Sequence, residues 1–259
     1  MNLFQALFLA VVQGITEFLP ISSSGHLVLF QKLFGIKEPP ILFDVLLHFG
    51  TLLAVFVFFR KELVGLVVYW RKNIKLWVFL IVGSVPTALF GVLISNGVSK
   101  VFNSLFLVGF CWSLFGLLVL IVDKKSKTIK TREIKNLNLK DGVAIGLFQA
   151  AALLPGVSRS GLTIVGGLLR GFSRETAFFL SFILAIPAIL GATFLSLKND
   201  GADGLNIIMG AVAAATAGLI GYFSLKILKK LINNDKFYLF GYYCLVLGLS
   251  VLFSVIVTK

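Results

Sequence analysis

Charge is scarce in this chain. Asp, Glu, Lys and Arg make up 14% of its 259 residues, where soluble domains carry about a quarter. Hydrophobic residues reach 58%, and mean hydropathy is +0.99. Long runs without charge exclude a water-soluble globule and point to a polytopic membrane protein. At about 20 residues per span, the length admits roughly six to eight spans with short loops. No room is left for a soluble second domain, so residues 1–259 read as a single integral membrane domain. Cysteine is nearly missing as well. Cys111 and Cys244 lie in apolar segments without C-x-x-C or Cys/His spacing, which excludes the usual zinc and haem patterns and leaves inert buried thiols. A basic leader and an A-x-A cleavage site are also absent. Residues 3–19 are therefore expected to belong to the mature protein rather than to a signal peptide. Acidic residues number 11 against 24 basic ones, a net charge of +13. In a soluble protein that excess would suggest nucleic acid. In a membrane protein the positive-inside bias of the loops accounts for it, and no nucleic-acid partner is expected.

What the chain does have is one short polar motif twice, 136 positions apart. Gln13, Ile21, Ser22, Ser24 and Gly25 recur as Gln149, Val157, Ser158, Ser160 and Gly161. Each copy interrupts apolar sequence. Residues 3–19 are apolar up to Pro20, the turn Ser22-Ser23-Ser24-Gly25-His26 follows, and residues 27–35 are apolar but too short to span. Residues 142–155, the turn at 156–161 and residues 162–169 repeat the pattern. Such pieces read as re-entrant hairpins. Spans are expected at 43–59, 76–95 and 104–122, then at 176–197, 205–228 and 237–257. Shifting the first three by 136 lands on the last three. The expected fold is an all-α polytopic membrane protein with six transmembrane helices and two re-entrant helical hairpins. Its two repeats, about 1–122 and 137–259, each cross three times, so the second is inverted, as in many transporters.

The loop charges give an orientation. Of the 24 basic residues, 18 fall in loops 60–75, 123–140 and 226–236 or at Arg170 and Arg174, all on one side of this topology. Five lie on the other side: Lys32, Lys37, Lys100, Lys198 and Lys259. The richer side is assigned to the cytoplasm. Both termini are then outside the cell membrane, and the hairpin tips should meet within it.

Glu17, His26 and Arg159 lie at membrane depth in this scheme. Ionisable groups there are costly unless paired, so they mark function or a buried brace. Each turn precedes a short helix, whose free N–H groups favour an anion. Gly-containing turns can add an anion nest. Two such starts facing each other, with an Arg able to grip two oxygens, describe a phosphate or diphosphate site. The rival reading is close helix packing through Ser and Gly. For phosphoryl transfer, Ser23, Ser24 or an activated water is the candidate nucleophile, His26 or Glu17 the base, and Arg159 the clamp. Glu17 could also ligate a divalent cation. Gln13, one helical turn before Glu17, and its counterpart Gln149 can hydrogen-bond the site or each other. Asp44 and His48 share a helix face near the outer end of a span, where capping or interhelical bonding explains them. Pro86 and Pro187, followed by Gly91 and Gly191, read as kinks.

On these residues the chain resembles the undecaprenyl-diphosphate phosphatase family, also called bacitracin-resistance proteins. The first motif runs Gln13-Gly-Ile-Thr-Glu17-Phe-Leu-Pro20-Ile-Ser-Ser-Ser-Gly-His26, and the second runs Leu154-Pro-Gly-Val-Ser158-Arg159-Ser160-Gly161. The similarity extends over essentially the whole chain. It implies a membrane hydrolase that removes the terminal phosphate from a C55 polyprenyl diphosphate, giving the monophosphate carrier of cell-wall synthesis. It implies a site opening toward the outer face and a divalent cation, Mg2+ or Ca2+. Bacitracin would compete indirectly, by binding the substrate. The residues matching Glu17, Ser23, His26 and Arg159 are the family's catalytic set, with Ser23 a proposed nucleophile. Gln13, Ser22, Ser24, Gly25, Ser158, Ser160 and Gly161 are then the substrate-binding candidates. Some members have Glu where this chain has Gln13, so a two-carboxylate metal site is incomplete here. Ser24 stands where some have Thr, which keeps the hydroxyl.

Inverted repeats alone would suit a polyprenyl-phosphate transporter or flippase, which needs binding groups but no nucleophile and base. A channel is disfavoured, because no ring of like charges appears. The sequence leaves the oligomeric state open, a homodimer included. Cysteines placed near residue 130 should be protected from impermeant reagents in intact cells, and cysteines near 201 should be labelled; the reverse pattern would sink the topology.

Overall fold

A computed structural model describes residues 1–36, 41–94, 104–127, 131–200 and 207–257. Lys37, Lys100, Lys130 and Lys259, the start of the expected span 205–228 and the probe positions 130 and 201 lie outside the described residues. Within them the ordered elements are helices, with one 3-10 turn at Ile134–Asn136 and an isolated bridge between Arg132 and Phe172. In chain order the helices are α1 (Leu3–Thr16), α2 (Ser23–Leu33), α3 (Ile41–Phe58), α4 (Arg60–Val68), α5 (Ile74–Ile94) and α6 (Leu105–Ser126). They continue with α7 (Leu139–Ala151), α8 (Arg159–Leu169), α9 (Arg174–Asp200), α10 (Ile207–Asn233) and α11 (Tyr238–Val257).

Helices α5, α6, α9, α10 and α11 are long and apolar enough to cross a membrane. Helices α3 and α4 together form a sixth candidate, bent by 74° at Phe59. Residues 60–75, assigned to a loop between spans, begin with nine residues that form α4. Leu66 is buried, and Asn73 Nδ2 donates to the carbonyls of Gly65 and Tyr69, closing the last turn. Leu89, Phe90, Leu93, Ile207, Ile208 and Phe253 are exposed, an apolar surface suited to lipid rather than water.

The short helices keep the sequence offset. Helix α8 matches α2 residue for residue after a shift of 136, and α7 begins 136 residues after α1. Their ends are built alike. Asn2 and Asn138 each form a reciprocal capping box, with Gln5 and Asp141 respectively, so two orphan N–H groups are satisfied at each start. Both short helices α2 and α8 start earlier than expected, so Ser23 to His26 and Arg159 to Gly161 form first helical turns. The chain reverses before them.

Packing crosses between the halves. Helix α1 lies on α10 of the second half, and α7 lies on α5 of the first. Helices α6 and α11 pack closely because glycines face each other. A Cβ on Gly248 would meet the Gly109 carbonyl at 2.7 Å, and one on Gly116 would meet the Gly241 carbonyl at 2.7 Å. Such small-residue contacts let helix backbones approach in lipid. Phe18, Phe59, Trp112, Phe178 and Phe182 fill the core beneath the two turns.

An ion cluster closes the base of the second hairpin. Arg132 donates from Nη1 and Nη2 to the fully buried Asp141, at 3.0 and 2.9 Å, and Arg170 Nε donates at 2.7 Å. Burial alone would push the Asp141 carboxyl up, but the bonds from Arg132, Arg170 and the Asn138 N–H outweigh it and hold it below the usual carboxylate range. A carboxyl depressed on folding stabilises above its unfolded value, and that contribution is lost as pH falls through the acid range. Asp141→Asn should therefore lower the thermal midpoint at pH 7, and the gap to wild type should shrink below about pH 4. Equal midpoints at pH 7 would contradict the clamp.

Candidate active site

Both polar turns end in a hydroxyl that caps a short helix. Ser22 Oγ accepts from the Gly25 N–H at 3.3 Å, and Ser158 Oγ accepts from the Gly161 N–H at 3.2 Å. Each capping hydroxyl also lies beside the serine two residues on, Ser24 at 3.3 Å and Ser160 at 3.1 Å. The glycines sit there because α6 runs between the turns. A Cβ on Gly25 would strike Trp112 at 2.8 Å, and one on Gly161 would strike Phe115 and Pro20. Gly25 also approaches Gly156 of the other turn. The two tips therefore touch, against neighbouring aromatic residues of one helix. The backbones of the two caps differ: Ser22 has φ +68°, while Ser158 has φ −81°.

Glu17 is the centre of the cluster. It ends α1 and is almost wholly buried. Arg159 Nη2 of α8 donates to its Oε1 at 2.6 Å. Ser23 Oγ, in the first turn of α2, donates to its Oε2 at 2.6 Å. Gln13 Nε2, one turn back along α1, donates to the same oxygen at 3.1 Å. Glu17 thus joins a hydroxyl from one hairpin to a guanidinium from the other. Arg159 Nη1 is buried and has no hydrogen-bond partner among the described residues. One arm of its fork is spent on Glu17, and the other has N–H donors to offer.

A cavity of about 430 Å3 opens beside this cluster. Glu17, Ser23, Ser24, Ser158 and Arg159 form its polar end. Gly91, Pro187, Gly191 and Leu195, from the proline-containing helices α5 and α9, form its apolar end. A ligand with a charged head and a hydrocarbon tail matches that division. Ser160 and Gly161 are buried behind the lining in the first turn of α8, and Gln149 reaches the cavity wall, donating to Thr87 Oγ1 at 3.1 Å.

His26 is placed elsewhere. Its Nδ1–H donates to the Ser22 carbonyl at 2.7 Å, which leaves Nε2 to accept from Tyr243 O–H at 2.8 Å. The ring stacks on Tyr243 and meets the edge of Trp112. It does not line the cavity and does not reach Ser23. The histidine beside Glu17 is His48 of α3, at 3.3 Å. Capping or interhelical bonding is the expectation for that residue, and its contacts with Gln13 and Glu17 of α1 are interhelical. Its signal was there, as an ionisable group within an apolar span. Thr87 and Ser84 line the cavity from α5 with no motif to announce them.

A divalent cation held by protein side chains alone does not fit this arrangement, whereas one shared with substrate phosphate oxygens needs only a single carboxylate. Both Glu17 oxygens already face N–H or O–H donors. Among the described residues no group of three His, Cys, Asp or Glu side chains could surround an ion.

A family model described as bacitracin resistance protein BacA matches residues 6–250. Proteins named undecaprenyl-diphosphatase are similar along their whole length. That of Halothermothrix orenii is 39% identical over 258 residues, covering 97% of this chain and 98% of its own. That of Carboxydothermus hydrogenoformans is 41% identical, covering 97% of each. That of Desulforapulum autotrophicum is 39% identical, covering 96% and 97%.

The His26 contacts carry their own test. Tyr243→Phe removes one hydrogen bond, worth about 1 kcal/mol, and should lower the thermal midpoint by a few degrees. An unchanged midpoint would mean that Tyr243 does not hold the ring.

Proposed function

The chain belongs to the bacitracin resistance protein BacA family, and on that basis we propose that it is an undecaprenyl-diphosphatase. It is a multi-pass membrane hydrolase that converts the C55 polyprenyl diphosphate and water to the monophosphate and inorganic phosphate. The product is the lipid carrier of cell-wall synthesis. The observation that carries the mechanism is the Glu17 carboxylate, with Ser23 on one oxygen and Arg159 on the other.

The diphosphate enters the polar end of the cavity while its tail stays along α5 and α9. The free arm of Arg159 and the first turns of α2 and α8 take the phosphate oxygens. Ser23 Oγ attacks the terminal phosphorus as its proton passes to Glu17 Oε2. The bridging P–O bond breaks, and the monophosphate lipid leaves with the electron pair. Water then attacks the phosphoserine, the P–Oγ bond breaks, Oγ regains a proton from Glu17, and inorganic phosphate departs. Arg159 offsets the charge that develops on the transferred group. His26 holds the turn at Ser22, whose positive φ is costly for a serine, through its bond to the Ser22 carbonyl. It thereby orients Ser23.

The repeats at 1–122 and 137–259 are proposed to be inverted, with both termini outside and the cavity opening outward. The shared helix offset and the uneven loop charge support this. One chain supplies both halves of the site, so the reaction does not require a homodimer. Bacitracin would act on the substrate rather than here. A carrier would have no use for a serine hydroxyl held on a carboxylate, and no observation favours the flippase reading.

Phosphate release by purified protein from a polyprenyl diphosphate tests the assignment. Glu17→Gln should lose about 10²- to 10⁴-fold, the range for a general base. Ser23→Ala should fall far below Ser22→Ala, and Arg159→Lys should lose most activity, because a point charge lacks the second arm. Equal turnover of the two serine variants would shift the nucleophile to water, and a fully active Arg159→Lys would remove the clamp.

A further inference from the structure

His48 faces the cavity beside Glu17, and the reaction above does not use it. Its side chain is 34% exposed. Nδ1 lies 3.0 Å from Gln13 Nε2 and 3.3 Å from Glu17 Oε2. Gln13 is fully buried, and its amide nitrogen carries two protons. One goes to Glu17 Oε2, and the other goes to His48 Nδ1. With the amide in this orientation, Nδ1 accepts. Reversed, Gln13 would turn Oε1 toward Glu17 Oε2, and only a proton on His48 Nδ1, 3.0 Å from the amide and 3.3 Å from the carboxylate, could lie between them. The protonation of His48 and the orientation of Gln13 are therefore linked.

The same contacts decide what else can approach Glu17. An N–H from Gln13, an O–H from Ser23 and an N–H from Arg159 converge on its two oxygens. A hard cation needs lone pairs around it; at the two carboxylate oxygens these groups present protons, and Gln13 Oε1 is a buried acceptor left without a partner among the described residues. We propose that Gln13 and His48 together hold Glu17 as the proton acceptor for Ser23, in the place where a second carboxylate and a protein-held divalent cation would otherwise stand. The proposal rests on the phosphatase reading. His48 acts through Gln13 and Glu17, so it is a positioning residue, and what it must supply is a lone pair rather than a charge.

Kinetics with purified variants separate these roles. His48→Gln can still accept from Gln13 through Oε1 and should keep kcat within about threefold of wild type. His48→Leu leaves a buried N–H unpaired and should lose roughly ten- to hundredfold in kcat, with a smaller change in KM. A His48→Gln enzyme as impaired as His48→Leu would overturn the proposal, because an imidazole proton would then be needed. Full activity of His48→Leu would overturn it too. If His48→Leu does not fold, His48→Gln against wild type decides alone.

Binding of Mn2+ gives a readout apart from activity. Electron paramagnetic resonance on wild type without lipid should show no saturable site at millimolar Mn2+. Gln13→Glu, with two carboxylates one turn apart, should gain one. Saturable binding by wild type that Glu17→Gln abolishes would overturn the proposal. If wild type releases no phosphate, the phosphatase reading fails, and the Mn2+ measurement still tests this one.

Discussion

A carboxylate buried inside the protein cannot stay charged without a partner, and Glu17 takes its partner from the other half of the chain. Its bond to Arg159 at 2.6 Å exists only if the two hairpin tips meet. Removing one member of a buried pair costs about 3–5 kcal/mol, so chemistry and assembly are tied together at one contact. The remaining donors, Ser23 and Gln13, are placed by the same hairpins. A site assembled in this way forms only when both halves have packed.

The packing that brings the tips together is specific. Helix α6 offers Trp112 to the first turn and Phe115 to the second, and glycine at each contact removes the side chain that would collide. Trp112 also donates its indole N–H to the Ile21 carbonyl at 2.8 Å, satisfying backbone that lipid could not. The caps repeat at both turns, yet the residues next to them have diverged. One side presents Ser23 and the other presents Arg159. A duplicated turn thereby becomes an asymmetric centre, with a hydroxyl facing a guanidinium.

Much of this was legible in the sequence, because repetition and scarcity of charge are strong signals. The 136-residue offset anticipated the matching of α2 with α8, and the apolar runs anticipated the long helices. Glu17, Ser23 and Arg159 stood out as polar groups where lipid makes polarity costly. Other features depend on rotation about a helix axis, which spacing does not fix. His26 and Ser23 are three residues apart, yet one faces Tyr243 and the other faces the cavity. His48 looked like part of a local pair with Asp44, and only the packing of α3 against α1 sets it beside Glu17. Helix α4 was hidden by its charges, which made it read as loop.

One diphosphate held between the starts of α2 and α8 is the arrangement proposed for this site. A structure with a methylene-bridged polyprenyl diphosphate, which cannot be cleaved, would reveal it. The terminal phosphate is expected between Ser23 Oγ and the Arg159 guanidinium, with the tail along α5 and α9. A headgroup bound away from both residues, or contacting one hairpin alone, would contradict it.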